Sequence, residues 1–523
     1  MKLVTSAQMR EIDRRAIAEF GIAGADLMDR AGRGVADAVR HLADIAGSVD
    51  SSVLIFAGRG NNGGDGFAAA RHLKEMGFDV LVWLAGTESQ VQGDALKHLE
   101  QMKGEGIDLE EYPSREDWDE VFRRWEGAEF LVDALLGTGS TGPARGPVAR
   151  AIQYINAIAN DGFVVSVDIP SGINADTGVA EGDAVNADVT VTMGLPKAGL
   201  VAPAALEFVG GIEVADIGLP PELVEASPAV ADRELIYSFE LRRLLPRRVR
   251  ASHKGTYGNV LLIGGARGYA GAIALAARAA SRSGTGLVTV LVPESLVPVV
   301  AGASLETMVR GAAETATGSL AAAAMDEWQG RLGAFDAIMA GPGLTTHPDS
   351  RAIVLALLEH GRCPIVLDAD ALNVLAPDAS ILSKAKCPVV ITPHPGEMSR
   401  LLGLSAAEIQ DDRCAAARRA ADLTHATVVL KGAGTVVAAR ERPAFINMTG
   451  NPGMAKGGSG DALAGLMAGL LSQGLAPFDA AKAAVFLHGR AGDMAAWRSS
   501  QTGIVAGDLI NEIPFAFREI AWR

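Results

Sequence analysis

Short runs rich in β-branched residues alternate with longer, alanine-rich amphipathic stretches along almost the whole chain, and few folds satisfy that alternation. Strands buried on both faces read as apolar runs and the helices between them cover the sheet, so the pattern predicts βαβ units around a parallel sheet. The runs of the first half are SSVLIFAG, DVLVWLAG, FLVDALLG, FVVSVDIP and DVTVTMG, with GIEVADIG as a sixth candidate. After Ile217 the pattern dissolves into GLPPELVEASPAVADRE, whose prolines and charges suit a linker. It resumes in GNVLLIGG, GLVTVLVP, FDAIMAGPG, PIVLDADA, PVVITPHPG and ATVVLKGAG, and ends in an Ala/Gly-rich helical region from about Asp461. At 523 residues more than one core is expected. The expected architecture is two doubly wound α/β domains, residues 1–222 and 236–523, joined by a linker at 223–235, with the boundary between Gly218 and Tyr237. No short-period repeat is visible, which sets aside a solenoid or a propeller.

A formal charge of −15 argues against a nucleic-acid or membrane partner, since both need a basic face, so anionic ligands must be held by local devices. The cysteines Cys363, Cys387 and Cys414 are odd in number and lack CxxC spacing, which suggests neither a disulfide framework nor a zinc site and fits a reducing cytoplasm. Charges break up the N-terminal MKLVTSAQMREIDRRAI, where a signal peptide needs an unbroken apolar core.

The first strand runs into GRGNNGGDG and then FAAARHLKEMG, a glycine-rich loop that opens a helix. Free N–H groups at a helix start favour an anion, so the loop reads as a phosphate or pyrophosphate cradle, with a tight βα turn as the bland alternative. Asn61, Asn62 and Asp65 in the loop weigh toward a ligand. Asp133 ends another strand before GTGSTGPARG, and Asp168 and Ser171 follow the next in VDIPSG. Ligands in open parallel sheets sit beyond the carboxyl ends of the strands, so these loops can converge on one crevice, and their oxygens suit a hard cation. Taken singly, Asp133 or Asp168 reads better as a turn or capping carboxylate.

NNGGDG, VDALLGTG, SVDIPSG and VTMGLPKAGL, in that order over roughly residues 1–220, resemble the motif set of the NAD(P)H-hydrate epimerases, the YjeF N-terminal family with a Rossmann-like fold. The resemblance implies a potassium ion held by Asn62, Asp133 and Ser171. It implies hydrate contacts at Asn61, Asn62, Gly63, Gly64 and Asp65, at Gly137, Thr138, Gly139, Ser140, Thr141, Gly142 and Pro143, and at Asp168. The implied reaction inverts C6 of the nicotinamide ring, where water has added, and opening and reclosing the hydrate needs proton transfer near that carbon. Asp168 is the candidate acid/base; Lys197 either steadies that carboxylate or the pyrophosphate, or is an exposed loop lysine.

The strongest local signal is GNPGMAKGGSGDALAGLMAGLL at 450–471. Gly457, Gly458, Ser459 and Gly460 stand at the start of an apolar helix, where amides and dipole form an anion hole, and Asp461 stands beside it. A carboxylate so placed can draw a proton from an attacking hydroxyl while the amides hold the transferred phosphoryl group. Close helix packing explains some of this run but not its five glycines together with Lys456. KGAGT can wrap phosphate or adenosine, GPGL is another strand-end turn, and TPHPGEMSRLLG sets His394 and Glu397 on a turn opening a helix, where a lone histidine reads as a turn or surface residue.

From SHKGTYGNVLLIGG and GYAGA to GGSGD, residues 236–515 resemble the ribokinase-like NAD(P)H-hydrate dehydratases. The resemblance implies hydrate contacts at Ala272, Gly343, His394, Pro395, Gly396, Glu397, Met398, Ser399, Arg400 and Asp461. It implies nucleotide contacts at Lys431, Gly432, Ala433, Gly434 and Thr435, and at Asn451, Pro452, Gly453, Met454, Ala455, Lys456, Gly457, Gly458, Ser459 and Gly460. ADP or ATP is the implied phosphoryl donor, with Mg2+ as its counter-ion, and Asp368, Asp370 and Asn373 in LDADALN support that ion or a helix start. The expected substrates are NADHX and NADPHX, and a homo-oligomer is expected. The main rival is a small-molecule kinase of the thiazole or pyrimidine type fused to a non-catalytic binding or scaffold domain, since one fold serves many chemistries. An NAD-dependent oxidoreductase is weakened because NNGGDG is not a GxGxxG fingerprint.

Overall fold

The computed structural model describes residues 1–48, 51–124 and 127–521. They form two compact units, Met1–Ala231 and Asp232–Arg523. In the first, strands β1 (Ser52–Ala57), β2 (Asp79–Leu84), β3 (Asp108–Glu111), β4 (Phe130–Ala134), β5 (Phe163–Val167), β6 (Val189–Met193) and β7 (Gly211–Ala215) make a parallel sheet in the order β3-β2-β1-β4-β5-β6-β7. The chain runs outward from β1 in one direction and from β4 in the other, so the topological switch point lies between them, where such sheets bind ligands. Helices Gly24–Ala46 and Asn61–Glu75 cross closely: a side chain on Gly32 would stand 2.5 Å from the Ala69 amide. A cluster of Phe56, Trp83, Trp118 and Tyr154 packs elsewhere in the unit.

β3 has the sequence DLEE and escapes any search for apolar runs, because an edge strand has one neighbour and leaves its side chains in water. The expected linker is also partly ordered. Helix Pro221–Ala226 buries Leu223, the Lys2 ammonium donates to the carbonyl of Glu225 (2.8 Å), and Val230 N–H donates to the Leu3 carbonyl (2.9 Å). Prolines and charges here mark a short capped helix on the first unit, and residues 233–235 are a strand of the second.

That unit contains β8 (Arg233–Leu235), β9 (Asn259–Ile263), β10 (Leu287–Pro293), β11 (Met308–Ala312), β12 (Ala337–Ala340), β13 (Ile365–Leu367), β14 (Val389–Ile391), β15 (Thr427–Leu430), β16 (Thr435–Ala438) and β17 (Ala444–Asn447). The sheet order is β11-β10-β9-β12-β13-β14-β15-β16-β17-β8. Its switch point lies between β9 and β12. The sheet is not wholly parallel: KGAGT turns the chain back, so β15, β16 and β17 pair antiparallel. Helix Ser459–Ser472 is buried on every side from Ala462 to Ser472 and packs on helix Ala270–Arg282 through Gly465, whose Cβ would lie 2.0 Å from the Ala276 carbonyl. Each of its buried Leu and Met side chains contributes roughly 1.5–3 kcal/mol through apolar burial, which fixes the helix start rigidly beside the sheet. The cysteines are free, and among the described residues no helix is long and apolar enough to cross a membrane.

Candidate active sites

Asp133 lies in β4 between Phe56 of β1 and Ser166 of β5. It is 0% exposed and accepts four hydrogen bonds from neutral donors: Ser166 Oγ (2.9 Å), Ser171 N (2.8 Å), Ser171 Oγ (2.6 Å) and Leu135 N (3.2 Å). Burial pushes its pKa up, and these bonds pull it back only in part. The Leu136 carbonyl gathers the neighbours, taking Asn62 Nδ2 (2.9 Å) and Ser171 Oγ (3.2 Å). Asn62 and Ser171 thus meet at the Leu136 carbonyl, and Ser171 links that carbonyl to buried Asp133.

Beyond β5, Asp168 holds a left-handed backbone (φ 68°), uncommon for a residue with a side chain and typical of sites that aim one group. Its Oδ1 binds the Lys197 ammonium and takes the Met193 amide (3.3 Å). Lys197 is 1% exposed, with further bonds to Thr192 Oγ1 and the Met193 carbonyl (3.1 Å each), so the exposed-lysine reading is incorrect. Asp65 is driven well above its ordinary pKa by burial, then by the charge of Asp168, against Lys197. Gly137, Ser140, Thr141 and Gly142 line a cleft with Ile169 and Gly172, while Thr138 lends its carbonyl to Arg10 (3.4 Å). Gly63 faces the protein instead, since its Cβ would lie 1.9 Å from the Gly58 carbonyl, and Gly64 would strike Met28. Neither position has room for a side chain.

In the second unit, Gly458 (φ 94°) opens helix Ser459–Ser472 with no room for a side chain, because a Cβ would meet Leu275 at 2.6 Å. The first amides of a helix have no partner within it and create a local positive end. Asp461 sits in that first turn with its pKa raised to about 6, by burial first and then by Asp368 and Asp370, against Lys431. The Lys431 ammonium bonds Asp368 Oδ1 (2.6 Å) and lies 3.8 Å from Glu397 Oε2. Burial draws Lys431 down, but Asp368, Glu397 and Asp461 outweigh it and hold the lysine above its usual pKa. Asp368 is 1% exposed and also accepts from Thr392 Oγ1 (2.8 Å). Asp370 begins a helical turn, takes the Thr345 amide (2.9 Å) and Asn373 Nδ2 (3.2 Å), and so serves the helix-start reading. Among the described residues no three His, Cys, Asp or Glu side chains group to hold a metal ion.

His394 caps helix Pro395–Leu402: Nδ1 accepts from the amides of Gly396 (3.0 Å) and Glu397 (3.3 Å). Burial first, then the charges of Lys431 and Arg400, lower its pKa, in the direction that favours an accepting Nδ1. Met398 is 0% exposed in the core and Ser399 Oγ is spent on the Leu404 carbonyl (2.5 Å), so within the predicted contact run these two side chains hold the helix. Arg400 bonds Asn373 Oδ1 (3.0 Å). Gly343 (φ 71°) lies against Gly265 and the Tyr269 carbonyl, so the turn after β12 meets the N-cap of helix Ala270–Arg282, on which Ala272 is half-buried. Lys456 does not face the helix start; its ammonium is tied to the carbonyls of Thr502 (2.6 Å) and Ile504 (2.7 Å).

Several supporting residues carry no sequence motif. Arg413 donates to the carbonyls of Leu430 (2.9 Å) and Lys431 (3.1 Å) and shapes the KGAGT turn, where Gly432 and Thr435 also bond. Asp493 clamps the Gly450 amide and Asn451 Nδ2 (3.0 Å each), and Asn451 Oδ1 in turn accepts the Gly453 amide (3.0 Å). His488, buried and lowered to about 4, donates from Nε2 to the Ser459 carbonyl (2.8 Å). His488 and Asp493 share helix Pro477–Arg498, whereas Arg413 opens helix Arg413–Thr424.

Fold and sites together define a two-site α/β enzyme, a Rossmann-like unit followed by a ribokinase-like one. Residues 24–199 match the family model described as YjeF-related protein N-terminus, and residues 260–515 match that described as NAD(P)H-hydrate dehydratase. The chain is 43% identical, over 99% of its length and 97% of the relative, to the bifunctional NAD(P)H-hydrate repair enzyme Nnr of Moorella thermoacetica. It is 36% identical, over 97% of its length and 92% of the relative, to the enzyme of that name in Escherichia coli. A crystal structure of the ADP/ATP-dependent NAD(P)H-hydrate dehydratase from Bacillus subtilis, co-crystallized with ATP/Mg2+, is 31% identical with a TM-score of 0.48, covering 55% of this chain and 98% of that one. The chain belongs to the family of bifunctional NAD(P)H-hydrate repair enzymes.

Proposed function

We propose that the first unit interconverts the R and S epimers of NADHX and NADPHX, and that the second dehydrates the S epimer to NAD(P)H at the expense of ADP or ATP. The observation that carries this reading is Asp461, a carboxylate of raised basicity in the first turn of a helix whose amides face outward. At neutral pH most of Asp461 is ionised and takes the proton of the C6 hydroxyl. The hydroxyl oxygen attacks the terminal phosphoryl group, the nucleotide leaves one phosphate shorter, and the helix amides hold the charge on the moving group. The ring nitrogen's lone pair then expels phosphate from C6 to leave an N1=C6 iminium, and loss of a proton from C5 returns those electrons to the ring and restores the dihydropyridine. Phosphate leaves far more easily than hydroxide, which is why a nucleotide is needed.

A magnesium ion would enter with the nucleotide, whose phosphates supply most of its oxygen ligands. In the first unit, Asn62, Asp133 and Ser171 would hold potassium, which supplies fixed positive charge beside an anionic substrate. Asp168, oriented by Lys197, exchanges the proton at the C6 oxygen. The free cysteines and the net acidic charge support action in a reducing cytoplasm on small molecules.

Product analysis tests the reading. The protein with the hydrates and ADP or ATP is expected to release inorganic phosphate and reduced nicotinamide in equal amounts. A stable phosphorylated alcohol would instead identify a kinase. The Asp493 clamp adds a narrower expectation: Asp493→Ala frees the Asn451 loop and raises the KM for nucleotide about tenfold, by losing charge-assisted hydrogen bonds, with a smaller change in kcat.

A further inference from the structure

The cleft of the first unit has a second wall that no motif marks. Facing the loop at 137–142 is a hairpin over 173–180, closed by an antiparallel bridge between Ile173 and Ala180. The Asn174 amide donates to the Val179 carbonyl (2.9 Å), and the Gly178 amide donates to the Asn174 carbonyl (2.7 Å). Asn174 Oδ1 accepts from the amides of Asp176 (2.9 Å) and Thr177 (3.0 Å), which spends that oxygen on the turn. The side chains that the hairpin gives to the cleft beyond Asn174 are therefore apolar, Ile173 and the half-exposed Val179, and Ile169 extends the same surface.

Glu181 stands at the end of that wall. Among the described residues that line the cleft it alone carries a charge. The side chain is exposed, and its Oε2 lies 4.0 Å from where a Cβ on Gly142 would stand, so the carboxylate faces the glycine loop across the mouth of the cleft. Among the described residues no cation pairs with it. Arg10 reaches the same loop but bonds the Thr138 carbonyl (3.4 Å), and neither residue belongs to the lining. The cleft adjoins Asp168 without containing it: Ile169, the next residue, lines it, whereas the Asp168 carboxylate turns to Lys197 and the Met193 amide.

Resting on the epimerase reading, we infer that Glu181 is a specificity-determining residue that makes the first unit favour NADHX over NADPHX. A hydrate whose reacting ring is at Asp168 lays its other half, the adenosine, along the adjoining cleft. Ile169, Ile173 and Val179 cover the apolar faces of that half, and its ribose edge comes to Glu181 at the mouth. The two hydrates differ only at the 2′ oxygen of this ribose, a free hydroxyl in NADHX and a phosphate ester in NADPHX. A carboxylate accepts hydrogen bonds from ribose hydroxyls, but it repels a phosphate and has no proton to offer it. Charges this exposed act through water, so the selectivity is moderate and weakens as salt is added.

The test uses the full chain without nucleotide and follows formation of the S epimer by chromatography, from NADHX and from NADPHX each enriched in the R epimer. Low substrate concentrations give kcat/KM above the protein-free rate. The wild type is expected to favour NADHX about tenfold at ~50 mM salt and less at ~500 mM, where screening shortens to about 4 Å. Glu181→Gln should raise kcat/KM for NADPHX about fivefold, lower it for NADHX about twofold and flatten the salt dependence of their ratio. Glu181→Lys, with a cation at the same mouth, should reverse the preference, and melting temperatures report whether each variant folds. A wild type indifferent to the two hydrates, or one ratio shared by the wild type and Glu181→Lys, would overturn the inference while leaving the epimerase reading intact. So would an equal loss on both hydrates in both variants, which marks a role in holding the loop. A wild type that forms no S epimer from either hydrate would overturn the epimerase reading, and the role of Glu181 with it.

Discussion

Asp461→Asn is expected to lower nucleotide-dependent dehydration by about 1,000-fold, the range associated with losing a positioned general base. The shape of the side chain survives, so the nucleotide KM should change little and the loss should fall on kcat. In the wild type, with the Asp461 pKa near 6, dehydration should decline as pH falls through that value, because the protonated acid cannot accept the hydroxyl proton. Stability moves the opposite way. The folded pKa lies above the unfolded one, so the charged carboxylate costs nothing below about pH 4 and its full penalty above about pH 6. Asp461→Asn should therefore be more stable than the wild type by about 2 kcal/mol at pH 8 and equal to it near pH 4, as read by denaturant unfolding. A dead enzyme that is also a sturdier one is the mark of a residue kept for chemistry.

Lys431→Met carries the largest expected loss of stability. It strands Asp368 and Glu397, 1% and 4% exposed, without the ammonium they face. Removing one partner of a buried ion pair costs about 3–5 kcal/mol, because the remaining charge cannot return to water. In a unit of this size that lowers the melting temperature by about 10 °C. Lys431 also holds down the pKa of Asp461, so the acidic limb of dehydration should shift to higher pH in any folded fraction. Lys431→Arg should recover part of the stability and less of the activity, since a planar guanidinium does not reproduce a compact ammonium.

The apolar runs and the loops at their carboxyl ends were legible because both report on burial and on backbone freedom, which single residues encode. NNGGDG, Asp133, Asp168, Ser171 and Asp461 all stand where that logic puts them, at strand ends beside a switch point or in the first turn of a helix. The edge strand DLEE was not legible, because its outward side chains answer to water and not to a core. The antiparallel hairpin β15-β16 was hidden in the glycines of KGAGT, which permit a turn without naming its partner strand. The bonding of the Lys456 ammonium was not legible either: proximity in sequence to an anion hole does not decide where a long flexible side chain ends, and here it reaches the carbonyls of Thr502 and Ile504. Arg413, His488 and Asp493 act on segments that they do not adjoin in sequence, so only the packed helices reveal them.

A mixture of R and S hydrate epimers, incubated with excess nucleotide and followed by the absorbance of the reduced nicotinamide, joins both halves in one trace. The wild type should convert the entire mixture, whereas Asp168→Asn should stop at the S fraction once protein-free epimerisation is subtracted, and Asp461→Asn should convert almost none. Full conversion by Asp168→Asn at the wild-type rate would contradict the assignment of epimerisation to the first unit, and full conversion by Asp461→Asn would contradict the chemistry placed at the helix start.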